Sequence, residues 1–280
     1  MNLPDWIKIG KYDKKEYLKT LNIINENKLT TVCLEANCPN RYECFANGTA
    51  TFMILGDVCT RNCRYCNIKK GQPKALDPTE PEKISVAIKK MGLKYAVVTC
   101  VTRDDLPDGG ADQFAKTIKT IKKNNPGCRM EVLISDLQGN WQALKKIIKA
   151  KPDVINHNLE AVKDIFALVR PKGNYKLSLK LLKKIKEFAP EIKTKSGFML
   201  GLGENDKQIA ETLNDLKKGG CDIVTIGQYL QPSPQHFAVK KYYNPEEFKR
   251  IESIAKKIGI KHVSAGPLVR SSYQANIMYK

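Results

Sequence analysis

Short runs of consecutive apolar residues alternate six times with segments whose apolar positions recur at helical spacing, after an N-terminal stretch that reads as an extended, polar arm. The runs predict strands at 51–58, 95–101, 130–135, 154–159, 193–200 and 223–230, and the periodic segments predict helices at about 81–91, 111–124, 140–150, 176–188, 206–218 and 245–258. In the second helix Phe114, Ile118 and Ile121 hold the i, i+4 and i+7 positions of one face. Runs such as AVVTCV and FMIL are apolar on successive residues, as expected of strands covered on both faces. Alternation of this kind predicts an α/β fold with a parallel sheet and crossover helices. Six units suit an incomplete barrel, although a flat, doubly wound sheet has the same periodicity. A further strand is expected at 261–264, ahead of the C-terminal tail.

In either architecture ligands gather at the carboxyl ends of the strands. The unusual residues lie there: Cys59 after the first strand, Arg103, Asp104 and Asp105 after the second, Asn156, His157, Asn158 and Glu160 in and after the fourth, and Gly201 to Glu204 after the fifth.

Composition narrows the class. With 42% hydrophobic and 28% charged residues the chain is globular, and disorder or fibre is excluded. No apolar run reaches the roughly 18 residues of a membrane-spanning helix, and the start, MNLPDWIKIGK, lacks the apolar block of a signal peptide. The expectation is a soluble, cytoplasmic protein with no membrane association. The net charge of +19 raises nucleic acid as a partner, but the lysines recur as pairs on predicted helices (Lys122-Lys123, Lys145-Lys146, Lys183-Lys184, Lys217-Lys218, Lys256-Lys257), the pattern of solvated faces. No nucleic-acid partner is expected; such charge steers an acidic one. Arginine is rare, and Arg41, Arg61, Arg64, Arg103 and Arg270 all fall within or beside the motifs below, where a planar bidentate donor is useful.

Nine cysteines, an odd number, speak for metal or redox chemistry over a disulfide framework. Six form two triplets, Cys33, Cys38 and Cys44 (CxxxxCxxxxxC) and Cys59, Cys63 and Cys66 (CxxxCxxC). Three soft thiolates on a loop after a strand, Cys59, Cys63 and Cys66, can reach three corners of one compact metal centre, zinc or iron–sulfur. A structural zinc needs a fourth ligand, and His157, His236 and His262 are all remote in sequence. An iron–sulfur cube held by three thiolates leaves one iron open to a chelating small molecule.

CxxxCxxC with Tyr65 before its last cysteine resembles the signature of the radical S-adenosylmethionine superfamily. Gly197 to Glu204 (GFMLGLGE) is similar to that superfamily's GxIxGxxE strand, with Met199 at the adenine-lining place, and Gly109-Gly110 to its methionine-binding turn, with Ala111 where an acid is usual. The two triplets together, in CLEANCPNRYEC followed by GTATFMILGDVCTRNCRYC, resemble the lipoyl synthase family. So do TRDDLPDGGAD, NHNLE, VRP, KSGFMLGLGE, IGQYLQPS and GPLVRSSY, which extend the resemblance over essentially the whole chain. Departures are small: Cys100-Val101-Thr102 in place of Ser-Val-Asp/Asn, PQHFAV where a second His and Leu-Pro are usual, and Gln274 where His is common.

The resemblance implies a partial (βα)6 TIM-type barrel of the radical SAM kind at 51–235, an N-terminal extension at 1–50 and a C-terminal extension at 236–280. It implies two 4Fe-4S clusters, one on Cys59, Cys63 and Cys66 that binds S-adenosyl-L-methionine, and an auxiliary one on Cys33, Cys38 and Cys44 with Ser272 as fourth ligand and Ser271 the alternative. Arg270 would act beside that serine, and Tyr65, Gly109, Gly110, Asn156, Asn158, Arg170, Gly201 and Glu204 would contact S-adenosylmethionine. The implied reaction is radical insertion of two sulfur atoms at C6 and C8 of a protein-bound octanoyl-lysine. Implied partners are octanoylated lipoyl carrier domains (2-oxoacid dehydrogenase E2 subunits, glycine cleavage H protein) and a flavodoxin- or ferredoxin-type electron donor. Rival readings are another sulfur-inserting radical enzyme, of the biotin synthase or methylthiolase kind, and a zinc-stabilised nucleic-acid-binding module.

Overall fold

The computed structural model describes residues 3–8 and 10–279. In chain order it has helices α1 (Lys14–Glu26), α2 (Val32–Glu35) and α3 (Arg41–Ala46), then strands β1 (Thr51–Ile54), β2 (Val58–Cys59) and β3 (Lys69–Lys70). There follow α4 (Glu80–Met91), β4 (Tyr95–Cys100), α5 (Ala111–Asn124), β5 (Arg129–Leu133), α6 (Trp141–Lys149) and β6 (Val154–Asn156). The remainder is α7 (Lys163–Val169), α8 (Tyr175–Phe188), β7 (Lys193–Leu200), α9 (Asp206–Lys218), β8 (Ile223–Gln228), α10 (Pro245–Lys257), β9 (His262–Gly266) and α11 (Ala275–Met278).

The chain divides into two compact units. One is Ile9–Arg61 with Asn67–Ile155; the other is Met1–Lys8, Asn62–Cys66 and Asn156–Lys280. In the first, β4 pairs in parallel with β1 and with β5, Val97 standing opposite both Thr51 and Glu131, and the amide of Asp153 at the start of β6 donates to Met130 O. In the second, the amide of His157 just past β6 donates to Lys195 O of β7, and β7, β8 and β9 pair in parallel. The expected strand at 261–264 is therefore a full member of the second unit's sheet, as β9.

The N-terminal stretch is not an extended arm. Asp13 caps α1 by accepting from the amides of Lys15 and Glu16, and Tyr17, Leu21 and Ile24 at i, i+4 and i+7 pack with Leu29, Leu34, Phe45 and Ala50. Burying Phe45 completely against this face is worth about 1.5–3 kcal/mol, enough to hold a helix whose other face is Lys, Asn and Glu. The first predicted strand is also cut short. Leu55 and Gly56 take left-handed φ of 71° and 94°, which ends β1 at Ile54 and sends Val58 and Cys59 into a separate two-residue ladder with Lys69 and Lys70.

Several helices start where a local cap requires it. Asn205 and Gln208 form a reciprocal capping box on α9, and Asn244 and Glu247 do the same on α10 behind Pro245. Among the described residues no helix is long and apolar enough to cross a membrane.

Candidate active site

In the first unit the cysteine loop opens at Cys59, the last residue of β2. Thr60 is tied to the loop after β4: its amide and hydroxyl donate to Thr102 O at 3.1 and 3.0 Å, and its hydroxyl accepts from the Asp104 amide at 3.1 Å. Arg61 follows, 5% exposed. Its guanidinium is bidentate to Asp104 (2.7 and 2.9 Å) and to Asp136 (2.7 and 2.6 Å), and its backbone amide donates to Cys59 Sγ at 3.4 Å. Arg103 beside it pairs with Asp105 and donates to Leu55 O at 3.0 Å, bracing the turn that ends β1.

Gly109 and Gly110 lie where α5 begins, with φ of 60° and 88°. A Cβ on Gly110 would stand 2.4 Å from Leu55 Cδ1, and one on Gly109 would stand 3.1 Å from Leu137 Cδ2. The pair is thus required by close approach and by left-handed backbone. The Asp108 carboxylate accepts from the amides of Gly110 and Asp112, both at 2.9 Å.

The other triplet sits on α2, α3 and the link between them, with the Cys38 amide donating to Cys33 O at 3.1 Å. Burial, reinforced by the neighbouring cysteines, pushes the Cys33 thiol up to about 11 and the Cys44 thiol up to about 12. All nine cysteines are free thiols.

In the second unit the loop's later part is held by backbone bonds: Arg64 N to Val169 O at 2.8 Å and Phe237 N to Arg64 O at 2.9 Å. His236 Nε2 lies 3.2 Å from Cys66 O, with Nδ1 2.8 Å from Ser233 Oγ. Tyr65 packs on a cluster of Ala161, Val169, Leu202 and Tyr229 together with Met199 and Phe237. Burial, then the nearby Glu160 carboxylate, holds its phenol well above the ordinary range.

Asn156, the last residue of β6, is fully buried, and Asn158 just past it buries a side-chain Oδ1 that has no hydrogen-bond partner. Arg170 donates to Asn158 O at 2.9 Å and lies over the Phe166 ring at 5.5 Å. Glu160 carries a left-handed φ of 73°, and burial raises its carboxyl while Arg170, Asn158 and Arg270 pull it down. The Glu204 carboxylate accepts from the amides of Gly201 (2.6 Å) and Leu202 (3.0 Å), so its oxygens hold the turn after β7. Arg270 donates to Val269 O at 2.7 Å, and Ser271 and Ser272 stand half-buried in the turn that follows β9.

Residues 53–216 match the radical SAM superfamily. Over nearly full length the chain is 53% identical to a lipoyl synthase of Caldanaerobacter subterraneus subsp. tengcongensis, covering 98% of this chain and 96% of that one. A lipoyl synthase of Alkaliphilus metalliredigens is 50% identical, covering 97% and 94%. The chain belongs to the lipoyl synthase family. It is a radical SAM enzyme of sulfur insertion, built on that superfamily's partial (βα)6 barrel. Solved structures agree on the fold: Streptococcus suis SuiB bound to S-adenosylmethionine (TM-score 0.59, 12% identity, covering 91% of this chain and 62% of that one) and the hydrogenase maturase HydG of Carboxydothermus hydrogenoformans (TM-score 0.59, 17%, covering 81% and 64%).

A lipoyl synthase family member works with S-adenosylmethionine and an iron–sulfur cluster, and the donor chemistry fits both. Each triplet offers three free thiols, which become thiolates when a cation displaces their protons, and the unpartnered Asn158 oxygen offers an acceptor at the carboxyl end of β6. Among the described residues no group of three or more His, Cys, Asp and Glu side chains converges to metal-binding distance, so the two ligand sets rest on cysteine spacing. Sequence reading missed the roles of Asp136, His236 and Phe237. Nothing local marks them; the rarity of arginine did single out Arg61, whose partners the fold supplies.

Proposed function

We propose that this family member inserts two sulfur atoms, at C6 and C8, into an octanoyl group in amide linkage to a lysine of a lipoyl carrier domain. The observation that carries the reading is the pair of cysteine triplets, 33/38/44 and 59/63/66, in a chain 53% identical to a lipoyl synthase over 98% of its length. When bound, S-adenosylmethionine on a 4Fe-4S cluster supplies the hydrogen-abstracting radical, and a second 4Fe-4S cluster supplies the sulfur.

The chain's own residues provide position and dryness. Cys59, Cys63 and Cys66 hold the first cluster and Cys33, Cys38 and Cys44 the second. Tyr65, packed on the same cluster as Met199, forms an apolar wall for the adenine, while Asn156 at the end of β6 and Asn158 and Arg170 after it present polar groups to the ribose and methionine. Gly109, Gly110 and Gly201 let backbone approach the ligand, and Glu204 keeps the Gly201 turn in shape. Residues 1–50 serve the auxiliary cluster, 51–235 the radical chemistry and 236–280 the serine-bearing tail. The partners are octanoylated domains of 2-oxoacid dehydrogenase E2 subunits and the glycine cleavage H protein, steered by the +19 charge, with a flavodoxin- or ferredoxin-type donor, in the cytoplasm.

Anaerobic reconstitution with iron and sulfide, then reaction of an octanoyl-lysine peptide with S-adenosylmethionine and reductant, should yield a peptide that has gained two sulfurs and lost two hydrogens in its oxidised form. A product with one sulfur as its end point, or a methylthio group, would reassign the chain to another sulfur-inserting reaction.

Ser272 is the proposed fourth ligand of the auxiliary cluster. An oxygen ligand is a weak partner for a soft iron–sulfur iron, which suits a cluster that gives up sulfide. Ser272→Ala should leave S-adenosylmethionine cleavage intact and lower the yield of the first carbon–sulfur bond at least tenfold, measured by single-turnover mass analysis. Full activity in Ser272→Ala with loss in Ser271→Ala would move the assignment by one residue.

A further inference from the structure

Arg61 lies in a closed ring of hydrogen bonds that has no need of any ligand. Its guanidinium grips the carboxylates of Asp104 after β4 and Asp136 after β5. Asp136 Oδ1 also accepts from the Gln138 amide at 3.1 Å, and Gln138 Nε2 returns to Asp104 O at 3.2 Å. The turn so enclosed is strained: Leu137, Gln138 and Gly139 have φ of 49°, 50° and 76°, and two of the three are not glycine.

Consecutive left-handed residues persist only where surrounding contacts over-determine them. Two carboxylates sharing one buried guanidinium are costly to desolvate and weak evidence of a stability role. Both features are explained by what the ring touches. On one side the Arg61 amide donates to Cys59 Sγ; on the other Leu137 packs against Gly109, its Cδ2 3.1 Å from where a Cβ there would stand.

We propose that Arg61 is a positioning residue for the radical chemistry, setting the place of the Cys59 thiolate relative to the Gly109-Gly110 turn. The fork of a guanidinium fixes direction as well as distance, which an ammonium does not. Outer contacts of this kind orient metal ligands, and their loss costs about 10–100-fold in metal affinity or activity. The inference rests on Cys59 being a ligand of the cluster that binds S-adenosylmethionine.

The test compares reconstituted wild type, Arg61→Lys, Arg61→Met, Cys59→Ala and Lys186→Met. The last removes an ion pair of 2.5 Å with Asp222, just ahead of β8, and serves as a control for lost stability alone. At matched iron content, S-adenosylmethionine is titrated against the EPR spectrum of the reduced enzyme, and thermal midpoints are measured in parallel. Arg61→Met should need at least tenfold more S-adenosylmethionine for the half-maximal spectral change and Arg61→Lys an intermediate amount, whereas Lys186→Met loses thermal stability with an unchanged titration.

A wild-type titration in Arg61→Met overturns the proposal. Should Arg61→Met not fold, Gln138→Ala opens the ring from the solvent side and should shift the titration two- to fivefold; no shift there overturns it equally. A spectral response that survives in Cys59→Ala would instead overturn the ligand reading beneath it, a result distinct from an unaltered Arg61 variant.

Discussion

Cys59→Ala is expected to abolish S-adenosylmethionine cleavage, with 5′-deoxyadenosine production falling by more than a thousandfold, of the order seen when a catalytic unit loses one of its members. Cys38→Ala is expected to retain cleavage within a few-fold of wild type while forming no lipoyl product. The contrast follows from the separate duties proposed for the two triplets. Cys59 opens the loop that carries CxxxCxxC, whereas Cys38 belongs to a helical cap built on Phe45 and Ile24. Because Cys38 is half-buried in the link between α2 and α3, outside the packed face, its replacement should change the thermal midpoint little. The measurement is 5′-deoxyadenosine and octanoyl-peptide products from the same reaction. Normal lipoyl yield from Cys38→Ala would end the auxiliary role; cleavage by Cys59→Ala would end the radical one.

Gly201→Ala should be among the most destabilising single-methyl changes in the chain. Its φ of 102° is disfavoured for any L side chain, and a Cβ there would lie 2.3 Å from Gln228 Nε2 and 2.5 Å from the backbone Lys241 O. Strain of about 1–3 kcal/mol and overpacking of about 1–3 kcal/mol together lower the thermal midpoint by roughly 10 °C for a domain of this size. The same substitution displaces the Gly201 amide that donates to Glu204, so S-adenosylmethionine affinity should fall with it. Gly203→Ala is the internal comparison. Its φ is 112°, but the nearest atom to its Cβ is the flexible Lys240 Cγ at 3.6 Å, so it carries the strain without the collision. Equal midpoints for the two variants would show that the close approach at Gly201 is relieved at no cost.

Where structure is encoded locally, it was legible along the chain. The predicted limits of 111–124 and 206–218 coincide with α5 and α9, because an apolar face of period 3.6 is bounded there by a left-handed glycine in one case and a capping box in the other. The N-terminal stretch, read as an extended arm, carried that signal as well: Tyr17, Leu21 and Ile24 keep the i, i+4, i+7 spacing of Phe114, Ile118 and Ile121, behind Asp13 as N-cap. What was not legible is the partner of that face, Phe45 of the short α3. Likewise Thr51 to Val58 looks like one strand, yet the left-handed turn at Leu55 and Gly56 is stabilised from outside, by Arg103 donating to Leu55 O and by Glu80 accepting from the Leu55 amide.

The candidate site divides along the same line. Ligand sets of cysteines a few residues apart are chemistry of sequence spacing, since thiolates so close along the chain can meet one metal centre wherever the segment lies. Cysteine spacing and the surrounding family motifs therefore pointed to the class of reaction, and to S-adenosylmethionine with an iron–sulfur cluster, before any fold was known. Only the tertiary structure decided what holds those loops: Arg61 reaches Asp104 and Asp136, 43 and 75 residues away, and His236 meets Cys66 O across 170. It also put both Glu204 oxygens on the Gly201 turn, an arrangement that needs a left-handed glycine under close contact. The Arg61 and His236 contacts leave no periodic trace in the sequence, because each joins residues brought together by the fold and by nothing in their local surroundings.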